Sequence, residues 1–168
     1  MPEAIFFYSV AAVAIISAIL VISCKNPINS ALSLVLAFFC LAVFYVMLNA
    51  PFLAVVQVMI YAGAIMVLII FVIMLLNIQV ETGKRSAHGI IIGGVIGLVI
   101  LCETGYLIST GAISASRGLM DRALITKVGH TELIGKALFG DFLLPFEITS
   151  LLLLAAVIGA VVLARKKV

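Results

Sequence analysis

The chain has 168 residues, 65% of them hydrophobic and only 10% charged, with a formal net charge of +3. Soluble domains carry about 45–50% apolar residues, so a soluble fold of this size is excluded and the chain reads as an all-α, polytopic membrane protein. Lys and Arg sit in loops and at the C-terminus, which argues against a nucleic-acid surface; Cys24, Cys40 and Cys102 are scattered, without a metal, haem or iron–sulfur spacing.

A first apolar span runs from about Ala4 to Ser23. Glu3 precedes it and no basic residue does, so it reads as an uncleaved helix rather than a signal peptide, despite a loose lipoprotein-like box at Val21–Cys24. Cys24-Lys25-Asn26 is then a tight turn, with Asn26 as N-cap and Pro27 at the first helical position. The second span, about Ile28 to Leu48, carries Ser30, Ser33, Ala37 and Cys40 as a small-residue seam. Asn49-Ala50-Pro51 returns the chain at once, which requires spans two and three to form an antiparallel hairpin.

The third span, Phe52 to Leu76, holds no charge, yet its middle is not filled with Leu, Ile and Val. Tyr61, Ala62, Gly63 and Ala64 lie near the midpoint, with Gln57 one turn earlier. At α-helical spacing Gln57, Tyr61 and Ala64 share a face, which should meet protein because an unpaired amide or hydroxyl costs a few kcal/mol in an apolar medium. Two readings stay open: a close-packed helix crossing, or a helix whose winding changes at Gly63, since π-bulges and kinks collect at glycines.

A polar stretch from Asn77 to His88, with Glu81, Lys84 and Arg85, leads to a fourth span, about Gly89 to Ile108. Gly89, Gly93 and Gly97 give it a doubled G-x-x-x-G, which admits close approach by another helix, and Glu103 and Tyr106 lie toward its far end. Within the long loop from 109 to 142, Thr131 to Phe139 is expected as a short amphipathic helix, capped by Thr131 and stopped by Gly140, with His130 solvated at its edge. The fifth span, about Leu143 to Ala164, has Pro145 and Glu147 in its first turn and ends in Arg165-Lys166-Lys167. The whole is one membrane domain of five spans.

Six basic residues (Lys25, Lys84, Arg85, Arg165, Lys166, Lys167) fall on one side, against Arg117, Arg122, Lys127 and Lys136 in the long loop. The positive-inside rule then sets the N-terminus outside, the C-terminus in the cytoplasm, and Glu103 and Glu147 toward the outer face. Intramembrane carboxylates tend to be paired or functional, which makes Glu147 and Glu103 candidates, although a first-turn acid is also favoured by the helix dipole. Tyr61 lies deeper than either. No Lys or Arg lies inside a span, so the chain lacks the acid–base string of a self-sufficient proton pump. A subunit of an energy-transducing enzyme, a small chain of a multi-subunit cation/proton antiporter, and a structural scaffold all fit these residues.

Three stretches together carry a resemblance. They are Asn26-Pro27-Ile28-Asn29-Ser30-Ala31-Leu32, then Gln57-Val58-Met59-Ile60-Tyr61-Ala62-Gly63-Ala64-Ile65-Met66-Val67-Leu68 running on to Leu75, and Leu138-Phe139 through Leu143-Leu144-Pro145-Phe146-Glu147. They resemble chain J of the proton-translocating NADH–quinone oxidoreductase, respiratory complex I, the counterpart of mitochondrial chain 6. The resemblance covers all five spans and leaves the long loop unspecific. It implies a non-catalytic subunit of the bacterial inner membrane, placed between the quinone-reducing module and the antiporter-like chains. Its third helix would carry a switchable π-bulge, here Tyr61, Ala62, Gly63, Ala64, Ile65 and Met66. Gln57, Tyr61, Glu147 and Glu103 would offer polar contacts or line a proton path. The resemblance further implies an obligate hetero-oligomer with chains A, H, K and N as expected neighbours; NADH, FMN, the iron–sulfur clusters and quinone would be bound by partner chains and not by this one.

Overall fold

The computed structural model describes residues 2–76, 87–110, 125 and 128–165, with the backbone alone for 87–92. The stretch with Glu81, Lys84 and Arg85, most of the long loop, and Lys166 and Lys167 lie outside these residues. The chain divides into two compact units, Met1–Gly118 and Leu119–Val168.

The first unit begins with α1, Pro2–Ser23, and α2, Pro27–Met47. The turn between them forms as its residues dictate: the Asn26 side chain accepts the Ile28 N–H at 2.9 Å, and Pro27 supplies a preset φ where no donor is needed. The Ser30 hydroxyl donates to the Val21 carbonyl across the turn, and at the far end the Phe7 and Phe44 rings meet at 5.5 Å. The two helices are thus paired antiparallel along their length. Ser17, sealed between them, returns its hydroxyl to its own helix at Val13 O, 2.7 Å away.

Helix α2 ends in a Schellman motif. Asn49 takes φ 58°, Ala50 N–H bonds Tyr45 O and Asn49 N–H bonds Val46 O. Pro51 then opens α3, Pro51–Leu76, which packs back along α2 with Phe38 and Tyr61 at 5.8 Å. Of the expected seam on α2, Cys40 is buried and Ser30, Ser33 and Ala37 are half-buried; Ala31 and Ala42 join it. Helix α4, Ala87–Ser109, completes the described part of this unit and lies against no other described helix of it.

The second unit holds α5, His130–Phe139, and α6, Leu143–Ala164. Gly140 stops α5, but Thr131 is not its cap. Gly129, at φ 96°, takes that position without a side-chain bond, and its carbonyl accepts the Leu133 N–H at 3.3 Å. Glycine reaches this positive-φ conformation at no steric cost, so the helix is capped two residues earlier than the threonine suggests. Four described helices (α1, α2, α3 and α6) are long and apolar enough to cross a bilayer, while the described apolar part of α4, Gly93–Ser109, is shorter. The molecule is an all-α, multi-pass membrane protein.

Candidate functional site

The middle of α3 is not α-helical. From Gln57 to Ile65, nine residues wind as a π-helix between α-helical ends at Pro51–Val56 and Met66–Leu76. Each π bond reaches five residues back instead of four. At the exit, the Met66 N–H goes to the carbonyls of Tyr61 and Gly63 and passes over that of Ala62.

The burial pattern records the extra residue. Ala54, Gln57, Ala62 and Met66 are the buried residues of α3, so the covered face steps by three, then five, then four. A regular α-helix would follow Gln57 with Tyr61 and Ala64. Both are instead exposed on this chain, Tyr61 at 46%. The shared face expected for Gln57, Tyr61 and Ala64 is therefore not formed: π winding brings Ala62 beneath Gln57 and turns Tyr61 aside against Phe38. Met66 is the most deeply buried of the four, at 1% exposed.

Gly63 has a specific reason to be glycine. A Cβ there would lie 3.1 Å from the Val58 carbonyl oxygen, five residues back. That is tight enough that an alanine must push the ladder open by a few tenths of an ångström. With Ala62 and Ala64 beside it, the segment carries little bulk at the point where the backbone is widest.

Gln57 is 6% exposed and sits on the covered face of α3 between Ala54 and Ala62. Beside the segment runs an open, apolar groove of about 580 Å³, lined by Val10 and Val13 of α1, Phe39 and Val43 of α2, and Val58 and Met59 of α3. Glu103 is exposed on α4, where neighbouring Thr104 bonds its own helix at Ile100 O. As α4 packs on no described helix of its unit, Glu103 is not brought to the π segment. Glu147, exposed in the first turns of α6, accepts the Ser150 hydroxyl only through its backbone carbonyl. Val58 and Phe38 belong to the site, yet their side-chain chemistry does not mark either: one acts through a carbonyl, the other through tertiary contact.

The fold and site define a class: a small, multi-pass helical membrane protein with a non-α segment at the centre of one span. Comparison with known proteins then narrows it. Residues 17–163 match the family model of NADH-ubiquinone/plastoquinone oxidoreductase chain 6. The chain is 39% identical to NAD(P)H-quinone oxidoreductase subunit 6 of the organellar chromatophore of Paulinella chromatophora, over 98% of this chain and 78% of that one. It is 38% identical to NAD(P)H-quinone oxidoreductase chain 6 of Leptolyngbya boryana, over 98% and 81%. It is 34% identical to NADH-ubiquinone oxidoreductase chain 6 of Prototheca wickerhamii, over 96% and 86%. The chain belongs to the NADH-quinone oxidoreductase chain 6 family, which separates it from the antiporter reading.

Proposed function

We propose that this membrane subunit of NADH-quinone oxidoreductase couples quinone reduction to proton translocation by changing the winding of α3. The observation that carries the reading is the five-residue step in the buried face between Gln57 and Ala62. A π segment holds one residue more per turn than the α-helix it interrupts, so its loss rotates everything beyond it by about 100°. Tyr61 and Ile65 would then take the covered positions of Ala62 and Met66. Replacing an alanine by a phenol at mid-membrane changes both bulk and hydrogen bonding beside Gln57, and with them the access of water. The Ala62 carbonyl passed over by the ladder is a further acceptor present only in the π form.

In this reading the chain forms one membrane domain of five spans, α4 included, in a bacterial inner membrane, with N-terminus outside and C-terminus in the cytoplasm. It carries no catalytic group and binds no cofactor. Protons pass beside it on acids supplied largely by neighbouring chains (A, H, K and N in the bacterial assembly), with Glu103 and Glu147 contributing at the outer side. The surface of α4, which no described helix of its unit covers, is consistent with such neighbours.

Thiol accessibility tests the switch. In the assembled enzyme, Tyr61→Cys is expected to react with a membrane-permeant maleimide at rest while Ala62→Cys is protected. During turnover Ala62→Cys should gain reactivity, read by mass spectrometry of the labelled peptide. Unchanged reactivity of both positions during turnover would contradict the switch.

A further inference from the structure

We propose that the corner between α5 and α6 is an interfacial foot, holding α5 against the headgroup layer of the bilayer by a row of aromatic side chains. Helix α6 has 22 residues, about 33 Å, close to the thickness of a hydrocarbon core. Its start at Leu143 therefore falls at the membrane boundary. Only Gly140, Asp141 and Phe142 separate it from α5, whose end can stand no more than about 14 Å away.

The corner is also locked. The Phe142 N–H bonds Ala137 O at 2.9 Å and the Leu143 N–H bonds Gly140 O at 3.4 Å. The Phe139 and Phe146 rings meet edge to face at 5.1 Å, clamping the last residue of α5 to the first turn of α6. Gly140 makes this turn possible, because a Cβ there would lie 2.9 Å from Lys136 O.

The side of α5 that the unit leaves uncovered has a direction. Leu133, Ile134, Ala137 and Leu138 are half-buried within the unit. On the other side, Glu132, Lys136 and Phe139 follow at i, i+4 and i+7, so the row runs from charge to aromatic ring toward α6. Lys136 Nζ and Glu132 Oε1 are 2.8 Å apart and both side chains are well exposed. Phe139, Phe142 and Leu144 are more than half exposed at the membrane end of that row. Protein interfaces deplete charge at their centre, whereas a headgroup layer solvates an ion pair and lets a lysine stem lie along apolar surface. The gradient fits lipid better than a partner chain.

The test uses the native enzyme, reconstituted into phosphatidylcholine vesicles that contain a phosphatidylcholine with a diazirine near the headgroup end of one acyl chain. After irradiation, mass spectrometry should find Phe139 and Phe142 labelled to the same extent as Leu144, with labelling lost at Glu132. Moving the diazirine to the end of the acyl chain should shift the label to Leu151–Leu154 and remove it from both phenylalanines. Label that begins only at Leu144 and spares Phe139 and Phe142 with either probe would overturn the proposal, whether another protein chain or water covers them.

Discussion

Helices α1–α3 and helices α4 and α6 are alike in being mostly apolar but differ in how much of their surface is covered. Every buried residue among those described lies in the first group, and the described residues of α4 and α6 show none. The difference does not come from hydrophobicity, since all five are predominantly apolar. It comes from the connections: two three-residue turns, each ended by a proline at the first helical position, force α1, α2 and α3 together. Small residues then let them approach, with Ser17, Ala31, Ala42 and Ala54 at the covered positions. On α4 the same kind of residue meets no other helix: a Cβ added at Gly93, Gly94 or Gly97 finds nothing within 4 Å beyond its own stretch of helix. Helices α1–α3 use their small residues to pack on one another, whereas those of α4 lie uncovered by the described helices of its unit.

Substitutions sharpen the contrast. The largest effect is expected from Met66→Ala, which empties a fully covered site and should cost about 2–5 kcal/mol, read as the unfolding midpoint in mixed detergent micelles. Leu152→Ala on α6 should stay within about 0.5 kcal/mol by the same measurement, because its side chain is exposed at 69%. If the two cost the same, the division between packed and bare helices is wrong. Overpacking gives the next pair. Ser17→Leu should cost about 1–3 kcal/mol of chain stability. Gly97→Leu should leave the stability of the chain alone unchanged but lower its co-purification with the other membrane subunits. Loss of the cap in Asn26→Ala should cost about 1 kcal/mol by freeing the Ile28 N–H at the first turn. Smallest is Lys136→Ala, expected at about 0.3–0.5 kcal/mol and less at high salt, since the Glu132 pair is solvated.

What was legible in the sequence follows the same line. Asn26-Pro27, Asn49-Ala50-Pro51 and Gly140 act through local backbone chemistry, so the turns they make could be read one residue at a time. Gly63 marked the middle of α3 as unusual for a similar reason, its low helix propensity at mid-membrane. The face of α3 was not legible. Reading Gln57, Tyr61 and Ala64 together assumes a constant period, and a π segment changes the period without a residue that announces where it starts. Only the buried set Ala54, Gln57, Ala62 and Met66 reveals the step of five. The start of α5 was misjudged because Thr131 is a good cap in isolation, whereas Gly129 reaches φ 96°, which threonine rarely adopts.

The central claim is that α3 leaves and regains its π winding during turnover, and Gly63 is the place to test it. A side chain there presses on the Val58 carbonyl from 3.1 Å in the π form. The direct measurement is the number of protons moved per quinone reduced by Gly63→Val enzyme in sealed vesicles, assembled at normal level, with Gly63→Ala as the milder companion. The account predicts a lowered proton yield with quinone reduction slowed, graded from Ala to Val. A full rate and a full proton yield in both variants would make Gly63 a packing residue and contradict it.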